Sequence, residues 1–280
     1  MSYLITGASG AIGRNIVSQL LAAGASVRVI SRKPERAEYP AGVEVAGGDF
    51  AKGDFADHLF KGVTKVFVFP AEGGVDAFAA KASSAKIQQF VVLSSLAVSE
   101  EHTRDIASAS NLHHARIEKA IKATGIPTTI LRPGTFANNL LAWAPAIRAA
   151  GAVFGPYPTS AQAPIHEADV AAVAVATLLA DGQVDHVYAL TGPQALSRVE
   201  QLNAIGEALG RPLQFRETTP EQFRESMKQY MPDGIIKMLL DYWSDTVTKP
   251  DVVRPTVQEV TGKRGRTLSE WARDHVSDFR

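Results

Sequence analysis

Short segments rich in β-branched residues alternate with helical patterns through the first half of the sequence. Because strand and helix in strict alternation build right-handed β-α-β units, the pattern predicts an α/β fold with a doubly wound parallel sheet covered on both faces. Sheets of this kind bind ligands at the carboxyl ends of their strands. The predicted strands span 3–6, 26–31, 43–46, 65–69, 89–95 and 127–133, and the predicted helices span 11–24, 54–62, 74–86 and 111–125.

The second half of the chain has a different pattern. After about residue 133 the alternation loosens and proline becomes frequent, as in FGPYPTSAQAPIH at 154–166. We expect residues 1–152 to form the sheet domain, completed by a strand near 186–192, and residues 153–280 to form a smaller, mostly helical substrate lobe interleaved with the sheet. Helices are predicted at 168–180, 198–209, 220–230, 233–245 and 267–279.

Charge and cysteine content exclude several functions. The 29 Lys and Arg residues equal the 29 Asp and Glu residues, and no local basic patch is visible, so nucleic-acid binding is not expected. Cysteine is absent, which excludes disulfides, thiolate chemistry and cysteine-based zinc sites. The longest apolar run, 168–180, is too short to cross a membrane, and the early first strand leaves no room for a signal peptide. We therefore expect a cytoplasmic protein without membrane contact.

The first predicted strand runs directly into the sequence TGASGAIGR, in which Gly7, Gly10 and Gly13 recur at every third position. Glycine lets the backbone turn tightly and approach a pyrophosphate, which then lies at the positive N-terminus of the following helix. At a strand-to-helix junction this pattern predicts a dinucleotide site, and a glycine-rich turn without a ligand is the alternative. The neighbouring residues expected to contact the cofactor are Thr6, Ser9, Ala11 and Ile12.

The end of the second predicted strand discriminates between the two nicotinamide dinucleotides. NAD-dependent proteins usually carry an acidic residue about 20 positions after the glycines, which binds the ribose hydroxyls. Here the sequence ISRKPER offers Arg32 and Lys33, with no carboxylate before Glu35. Both cations suit a 2′-phosphate, whereas a solvated basic turn is the alternative. The sequence therefore predicts NADP(H) as the cofactor.

Further residues at the same edge of the sheet are predicted to line the cofactor site. Asp49 in the sequence GGDF could accept a hydrogen bond from the adenine amino group, although an aspartate after two glycines is also a common turn residue. The segment 69–71 could form a wall beside the ribose and nicotinamide. The remaining candidates at the ends of the third, fourth and fifth predicted strands are Phe50, Phe69, Pro70, Ala71, Ser94 and Ser95.

Several segments together resemble the NmrA-like family of atypical short-chain dehydrogenases/reductases. In order along almost the whole chain they are TGASGAIGR, SRKPER, GDF, VVLSS, HHARIEKAIKATGIPTTILRPGTFANNLL, PIHEADVAAVAVATLL and GRTLSEWARDHVSDF. The resemblance implies an NADP-binding Rossmann domain with a small C-terminal substrate lobe. Within the family the sequence is most similar to NADPH-dependent quinone reductases and triphenylmethane dye reductases. It also resembles members that bind NADP without catalysing a reaction.

The resemblance also implies roles for individual residues. The three glycines of the first turn would hold the pyrophosphate, and Arg32 and Lys33 would hold the 2′-phosphate. The residues implied to flank the nicotinamide are Pro133, Gly134, Thr135 and Phe136.

The helix before the sixth predicted strand contains the sequence NLHHARIEKA. A conventional short-chain reductase has a Tyr and a Lys four residues apart on this helix, and the Lys lowers the pKa of the phenol that protonates the carbonyl oxygen. His114 and Glu118 occupy the corresponding positions here, and the helix contains no tyrosine. The atypical relatives share this arrangement. Lys119 is a third catalytic candidate, although we expect it at the surface or near the ribose rather than acting as a base.

Three interpretations of this helix remain open. His114 could act as a general acid, with Glu118 one turn on holding its tautomer. The pair could instead orient the helix and contact the nicotinamide ribose, so that hydride transfer depends on proximity alone. It could also be a solvated pair worth about 0.3–0.5 kcal/mol.

The chemistry of the acceptor links the missing tyrosine to a function. Quinones and cationic dyes accept hydride without a strong acid, because the reduced anion is delocalised and can take its proton from water. An unactivated ketone, in contrast, develops an alkoxide. We therefore predict an NADPH-dependent oxidoreductase that transfers hydride to a quinone-like or conjugated small molecule. A non-catalytic NADP-binding redox sensor and a ketone or enone reductase of secondary metabolism are the alternatives, and the protein could be a monomer or a homodimer.

Two further groups of residues could form sites. His166, Glu167 and Asp169 lie close together, but we expect no metal there, because acids in the first turn of a helix favour its dipole. Several large side chains could line the substrate pocket, and we expect most of the aromatic ones in the core and two or three facing the substrate. These candidates are Phe136, Asn139, Trp143, Tyr157, Tyr230 and Trp243.

Overall fold

The computed structural model describes residues 1–180, 182 and 185–280. Within these residues, eight strands form one sheet and four short strands form two small ribbons. In chain order the strands are β1 (Ser2–Ile5), β2 (Ser26–Ser31), β3 (Val43–Asp49), β4 (Asp54–Phe55), β5 (Val63–Val68), β6 (Gln89–Leu93), β7 (Thr128–Pro133), β8 (Ala152–Gly155), β9 (Ala161–Gln162), β10 (Val187–Leu190), β11 (Leu196–Ser197) and β12 (Gln214–Glu217).

Helices cover both faces of the large sheet. In chain order they are α1 (Ala11–Ala22), α2 (Val75–Ser83), α3 (Ala109–Lys122), α4 (Ala144–Ala150), α5 (Glu167–Leu179), α6 (Arg198–Leu209), α7 (Pro220–Met227), α8 (Asp233–Thr248), α9 (Thr256–Thr261) and α10 (Leu268–Asp274). α1 and α5 pack on one face with α9, and α2 and α3 pack on the other. Side chains alternate accordingly, because Tyr3 and Ile5 of β1 join the first layer whereas Leu4 joins the second.

The large sheet has the order β4-β3-β2-β1-β5-β6-β7-β10, and its neighbouring strands are parallel except for β3 and β4. The chain builds β2 and β3 on one side of β1 and then crosses over to build β5, β6 and β7 on the other. This reversal leaves a crevice at the carboxyl ends of β1 and β5, where doubly wound sheets bind ligands. The predicted fold class, a doubly wound α/β sheet with a helical C-terminal region, is confirmed.

A second core lies in the C-terminal part of the chain. Trp271 and Phe279 are fully buried there, beside Ile147, Leu202 and Ile205. β8 pairs with β12, and β9 pairs with β11, at the border of this core. α5 and β10 lie on the large sheet although they follow residue 152, so the proposed division into 1–152 and 153–280 stays a prediction. In the described part of the chain, no helix is long and apolar enough to cross a membrane.

Two predicted elements differ from the structure. The predicted helix at 54–62 is wrong, because Asp54 and Phe55 instead pair antiparallel with the end of β3, and the few residues left before β5 form turns. The predicted last helix ends early, at Asp274, and a 3-10 turn at Val276–Phe279 follows it. β8 and β12 were not predicted, since each has only four residues and gains its partner from about 60 positions away.

Candidate active site

The glycine-rich turn after β1 packs so closely against neighbouring atoms that side chains at two of its glycines would not fit. Gly7 has φ +65°, and a Cβ at this position would lie 2.7 Å from the Cβ of Phe69. A Cβ on Gly13 would lie 2.2 Å from the carbonyl oxygen of Gly7, which explains how closely α1 approaches the turn. Gly10 meets only that same oxygen, at 3.4 Å, so the space above it is open to a ligand.

The N-terminus of α1 is suited to an anion. Its capping residue, Gly10, provides no side-chain acceptor, and the first turn contains no acidic residue. The first N–H groups of the helix therefore remain available to donate hydrogen bonds to an anion such as a pyrophosphate. Ser9 is exposed in this turn, whereas Thr6 is buried and its Oγ1 accepts a hydrogen bond from the Phe69 N–H at 2.7 Å. Thr6 thus fastens β1 to the end of β5.

The two cations predicted to bind a 2′-phosphate lie at the end of β2. Arg32 and Lys33 are both exposed, and within the described residues the side chain of neither forms an ion pair or a hydrogen bond. The Lys33 backbone N–H donates to the Ser31 hydroxyl at 3.1 Å, which shapes the turn. Two neighbouring cations with no partner among the described residues fit a phosphate, and the turn together with α1 fits the pyrophosphate of a dinucleotide.

Asp49 and Phe50 have structural partners at the predicted adenine end. Asp49 Oδ1 accepts a hydrogen bond from the Ala51 N–H at 3.0 Å, so it stabilises a turn, as the alternative interpretation proposed. The ring of Phe50 packs on those of Phe55 and Phe78, with centroids 5.0 and 4.9 Å apart. Their contacts to adenine stay predictions.

The segment after β5 connects the glycine turn to α3. Phe69 lies against Gly7, and its carbonyl accepts a hydrogen bond from the Ala71 N–H at 2.8 Å. His113 Nε2 donates to the carbonyl of Pro70 at 3.1 Å. This contact fixes the segment beside the crevice, where it was predicted to line the ribose and nicotinamide.

A cavity of about 260 Å³ lies over the carboxyl ends of β6 and β7. Gly134, Thr135 and Phe136, predicted to flank the nicotinamide, contribute to its floor. α8, together with residues 101–105 and 251–254, closes the cavity from the C-terminal side. Its wall brings together residues of α3, the β7 end and α8, among them Ser95, His114, Thr135, Phe136, Asn139 and Tyr242. The cavity is the best candidate for the acceptor site.

Four of the six predicted pocket residues lie elsewhere. Trp143 and Trp243 pack around Arg198, whose guanidinium carbon is 3.8 Å from the Trp243 ring centroid. Burial lowers the pKa of Arg198 to about 9. Tyr157 lines a shallow hollow on the lobe surface, and Tyr230 is 74% exposed. None of these four aromatic residues lines the cavity, and their contact with a substrate stays a prediction.

Tyr242 is a cavity residue that sequence reasoning missed. It neighbours Trp243 but lies about 100° around α8, on the face that also carries Met238 one turn earlier. Its hydroxyl donates to the Asp251 carboxylate, and the Arg104 guanidinium lies 5.0 Å from its ring centroid. Burial and Asp251 together raise the pKa of Tyr242 well above its usual value. The spacing of 238 and 242 on one helical face was the signal that could have identified it.

The arginines at the cavity are neutralised by carboxylates. Arg104 forms an ion pair with Asp245 and lies 3.8 Å from Asp251. Arg254 pairs with Glu101 at 2.5 Å between Nη2 and Oε2. These pairs tie residues 101–105 to α8 and to the segment that follows it, and they leave neither guanidinium without a counter-charge.

The carboxylate of Glu118 is bound by residues of the sheet rather than by His114. It is 4% exposed, and its two oxygens accept hydrogen bonds from Arg132, Nε to Oε1 at 2.9 Å and Nη2 to Oε2 at 2.8 Å. The Ser94 hydroxyl donates to Oε1 at 2.6 Å. Burial alone would raise the pKa of Glu118, but the hydrogen bonds from Arg132 and Ser94 lower it. The hypothesis that Glu118 holds the tautomer of His114 is therefore wrong, because the end of β7 supplies a stronger partner.

The backbone of α3 fixes the tautomer of His114 instead. His114 Nδ1 lies 2.8 Å from the carbonyl oxygen of Ser110, which can only accept a hydrogen bond, so Nδ1 carries the proton. Burial lowers the pKa of His114, so the ring is neutral near pH 7 and Nε2 has no proton. The general-acid interpretation lacks the proton that it requires at Nε2.

Lys119 does not reach the cavity. It is exposed on α3, and the residues lining the cavity do not include it. Five residues after His114, it lies about 140° around the helix, as expected for a surface residue, and its tentative catalytic role stays a prediction.

A buried polar cluster joins α5 to the C-terminal helix. Glu167 Oε1 accepts from His275 Nε2 at 2.9 Å, and its Oε2 lies 3.1 Å from His166 Nδ1. Asp169, two residues on, instead pairs with Arg266. Among residues 1–180, 182 and 185–280, no group of His, Cys, Asp and Glu is arranged to hold a metal ion. The cluster is a structural connection between the sheet and the lobe.

Comparisons with known proteins find relatives along the whole chain. A family profile described as NAD(P)H-binding matches residues 7–181. The (4-alkanoyl-5-oxo-2,5-dihydrofuran-3-yl)methyl phosphate reductase of Streptomyces griseus is 36% identical over 99% of this chain and 98% of its own. The NAD(P)H azoreductase of Xenophilus azovorans is 30% identical over 99% and 98% of the two chains. The NADPH-dependent quinone oxidoreductase of Escherichia coli in complex with NADPH superposes with a TM-score of 0.83 at 23% identity, over 98% of this chain and 99% of its own.

Proposed function

This chain belongs to the NAD(P)H-binding, NmrA-like family of atypical short-chain dehydrogenases/reductases, and we propose that it uses NADPH to reduce an uncharged conjugated acceptor such as a quinone. Its relatives are NAD(P)H-dependent oxidoreductases. The observation that carries the proposal is a contrast in charge along the site. Arg32 and Lys33 at the cofactor end have no counter-charge within the described residues, whereas Arg104 and Arg254 at the cavity are each paired with a carboxylate.

The choice of NADPH over NADH rests on the end of β2. Two exposed cations can hold a doubly charged 2′-phosphate, and the first acidic residue, Glu35, lies beyond them in a 3-10 turn. A ribose without the phosphate would leave both cations unpaired. We therefore expect the preference for NADPH to come from Arg32 and Lys33.

The choice of an uncharged acceptor rests on the cavity. A phosphate or sulfonate group would have to compete with Asp245 and Asp251 for Arg104, or with Glu101 for Arg254. The relative from Streptomyces griseus is named for a phosphate substrate. Because both cavity arginines are already paired here, we do not expect a phosphate group on the substrate of this protein. Ring faces and methylene groups of Phe136, Leu239 and other apolar residues suit a planar neutral molecule.

The residues of α3 suit an acceptor that needs little help from an acid. When bound, NADPH supplies the hydride. His114 is neutral with its proton directed at the backbone, and Glu118 is ionised beneath the floor of the cavity. Neither presents an acidic proton to a substrate. A quinone fits this environment because its reduced anion is delocalised, whereas a simple ketone would develop a localised alkoxide.

A conjugated enone is the second candidate acceptor. It is favoured by the relative from Streptomyces griseus, whose name describes reduction of an unsaturated furanone, at 36% identity along the whole chain. When an enone accepts hydride, the conjugated system moves an electron pair onto the carbonyl oxygen. Like a quinone, it therefore forms a delocalised anion that does not require a strong acid in the cavity.

A panel of acceptors tests the proposal. NADPH oxidation would be followed by absorbance with neutral quinones, their sulfonated analogues, an unsaturated lactone with and without a phosphate, and a simple ketone. We expect turnover with the neutral conjugated compounds and no turnover with the ketone. For each anionic analogue, kcat/KM should be at least about tenfold lower than for its neutral counterpart. If no compound is reduced while NADPH binds tightly, the non-catalytic sensor is the correct function. Faster reduction of the anionic analogues would refute the assignment of an uncharged substrate.

A further inference from the structure

Three carboxylates of the described residues line the cavity, and Asp105 differs from the other two. Asp251 accepts a hydrogen bond from the Tyr242 hydroxyl, and Glu101 accepts one from the Arg254 guanidinium. Within the described part of the chain, the carboxyl group of Asp105 accepts no hydrogen bond. It is therefore the acidic group of the cavity wall that the protein itself binds least.

Arg104 is surrounded by three carboxylates. It forms an ion pair with Asp245 through Nη1, its Nη2 lies 3.8 Å from Asp251, and its Nε lies 3.9 Å from Asp105. Asp245 also lies 3.8 Å from the exposed Lys249. When like charges share a site, the carboxyl group with the weakest contacts keeps its proton most readily. Among these three groups, that carboxyl group is Asp105.

The surroundings of Asp105 favour its protonated form. Burial raises the pKa of Asp105 above its ordinary 3.8, and the charges of Asp251 and Glu101 raise it as well, whereas Arg104 and His102 lower it. The carboxyl group thus holds a proton at a higher pH than an ordinary aspartic acid does. Other titratable or charged side chains on the cavity wall and on α8 beside it are His114, Tyr242, Asp245 and Arg254.

Arg104 also offers a partner for the charge that Asp105 acquires when it loses its proton. The Arg104 side chain is 9% exposed, and its Nε is buried without a hydrogen-bond partner in the described part of the chain. A movement of about 1 Å would let Asp105 Oδ1 accept a hydrogen bond from this Nε–H. Because a buried donor without a partner is unfavourable, Arg104 favours that movement. The Asp105 side chain is 20% exposed, so water can return the proton.

The backbone holds Asp105 at a defined position over the cavity. Glu100 and Ala107, at the two ends of the segment that carries it, have φ +52° and +55°. Residues other than glycine rarely adopt this left-handed conformation, and they keep it where the surroundings hold the chain in place, often at functional sites. The ion pair of Arg104 with Asp245 provides such a constraint, because it fastens the segment to α8.

We propose that Asp105 is a catalytic residue that gives its proton to the oxygen of the acceptor after hydride transfer. The inference rests on the proposed function. Hydride adds to the conjugated acceptor with its two electrons, the nicotinamide is oxidised, and an electron pair of the acceptor moves onto its oxygen. The O–H bond of the Asp105 carboxyl group breaks as a new O–H bond forms on the acceptor. The carboxylate then binds Arg104 Nε–H, and water supplies its next proton.

The pH dependence of kcat tests this role. With a quinone whose reduced anion is strongly basic, wild-type kcat should fall as the pH rises through the raised pKa of Asp105, because the proton-donating form is lost. Asp105→Asn should lower kcat by about tenfold at acid pH and remove this decrease, and it should match the wild type within about twofold at alkaline pH, where water is the proton source. Asp105→Glu, which keeps a carboxyl group, should retain the decrease.

Two outcomes of these kinetics would overturn the proposal. A higher kcat in Asp105→Asn would show that the carboxylate acts only as a negative charge that opposes reduction. An unchanged pH dependence in Asp105→Asn would show that another group supplies the proton. A loss that grows with the basicity of the reduced quinone anion supports the proposal, since a basic anion depends most on a proton donor.

Control variants separate proton transfer from other effects. Asp57→Asn makes the same chemical change at a fully exposed position and should match the wild type in every measurement. His102→Gln removes the imidazole beside Asp105 and should retain the decrease of kcat with pH. If His102→Gln abolishes the decrease and Asp105→Asn does not, His102 is the donor and the proposal is wrong. NADPH affinity, measured by fluorescence, should change less than about twofold in Asp105→Asn.

The part assigned to Arg104 has its own readout. Arg104→Lys keeps a positive charge near Asp245 but lacks the Nε–H, so the ionised form of Asp105 loses a partner. The decrease of kcat should therefore move to higher pH in Arg104→Lys. A decrease at the same pH as in the wild type would overturn the role of Arg104 as the partner of the ionised carboxylate.

A binding measurement without turnover distinguishes failure of this inference from failure of the proposed function. Pentafluorophenolate presents an oxyanion and cannot accept hydride. Titration calorimetry of its binding to the NADP⁺ complex, in buffers with different ionisation enthalpies, counts the protons taken up. We expect about one proton in the wild type, shared between the oxyanion and Asp105, and about none in Asp105→Asn.

The proton count has a clear contrary result. Equal proton uptake in the wild type and Asp105→Asn, or no binding of pentafluorophenolate to the wild type, would overturn the proposal. If the wild type reduces no acceptor, the proposed function fails, whereas the proton count still decides whether Asp105 shares a proton with an oxyanion in the cavity.

Discussion

Arg132 at the end of β7 holds Glu118 of α3 through two parallel hydrogen bonds, Nε to Oε1 at 2.9 Å and Nη2 to Oε2 at 2.8 Å. The pair lies beneath the cavity, and the carboxylate is 4% exposed. Such a fork-to-carboxylate contact is strong, and removing one partner leaves a desolvated charge behind. Glu118 thus connects α3 to the sheet.

Replacement of Glu118 by Ala should therefore reduce stability far more than catalysis. We expect the free energy of unfolding to fall by about 3 kcal/mol, because Arg132 and Ser94 lose their shared partner. The kcat per folded molecule should stay within a few fold of wild type. Urea unfolding measures the first quantity, and titration of folded sites with NADPH normalises the second. A stable Glu118→Ala protein without activity would restore Glu118 to a catalytic role.

Arg32 and Lys33 should determine the cofactor preference. Each change to Ala is expected to weaken NADPH binding by about tenfold, since one charge-assisted contact to the 2′-phosphate is lost, and to leave NADH binding nearly unchanged. Isothermal titration with both dinucleotides measures the effect. Lys86→Ala removes an exposed cation after α2 and serves as the control. Equal losses for NADPH and NADH in Arg32→Ala would contradict the assignment.

Gly10 and Gly13 should separate cofactor binding from stability. A Cβ on Gly13 would lie 2.2 Å from the Gly7 carbonyl oxygen, so Gly13→Ala should cost about 2 kcal/mol of stability as α1 shifts. A Cβ on Gly10 meets the same oxygen at 3.4 Å, so the fold should tolerate Gly10→Ala. The added methyl group would nevertheless occupy the space predicted for the pyrophosphate. Thermal unfolding with and without NADPH should show a lower Tm for Gly13→Ala and a lost NADPH-induced rise in Tm for Gly10→Ala.

The cluster of His166, Glu167 and His275 should make stability depend on pH in two directions. Burial alone would raise the pKa of Glu167, but the neighbouring His166 and the hydrogen bond from His275 lower it to about 2 from an ordinary 4.5. Its contribution of about 3 kcal/mol is present above pH 4.5 and is lost as the pH falls towards 2. Burial would lower the pKa of His166, but Glu167 raises it above 6.5, so this contribution is complete below pH 6.5 and disappears as the pH rises through the raised value.

Urea unfolding across this pH range provides the test of the cluster. The wild type should be most stable between about pH 4.5 and 6.5, and Glu167→Gln should flatten the profile on both sides, because the neutral amide no longer interacts with the charged form of His166. Asp57→Asn, at an exposed position outside the cluster, should leave the shape on the alkaline side unchanged. An identical alkaline profile in the wild type and Glu167→Gln would contradict the assigned coupling.

Sequence reasoning succeeded where the signal was local. The alternation of strands and helices gave the doubly wound sheet, and Gly7, Gly10 and Gly13 identified the turn because their spacing follows from the backbone alone. Arg32 and Lys33 lie where the end of β2 was expected. The prediction failed where a short segment pairs with another strand. Of residues 54–62, which were predicted as a helix, Asp54 and Phe55 instead pair with β3.

The catalytic side of the site depends on contacts that spacing does not encode. His114 and Glu118 stand one helical turn apart, which suggested a pair, yet Glu118 binds Arg132 across to the sheet. Tyr242 meets its cavity neighbours only because α8 packs over strand ends more than 100 residues earlier in the chain.

Reduction of a neutral conjugated acceptor by NADPH can be measured in a single turnover. The complex of the protein with NADPH would be mixed with one equivalent of a neutral quinone without oxygen, and the loss of NADPH absorbance followed in time. We predict that all of the bound NADPH is oxidised, and that deuterium at the transferred position of C4 slows the reaction. Bound NADPH that stays reduced in the presence of the quinone would instead show that the protein binds the cofactor without transferring its hydride.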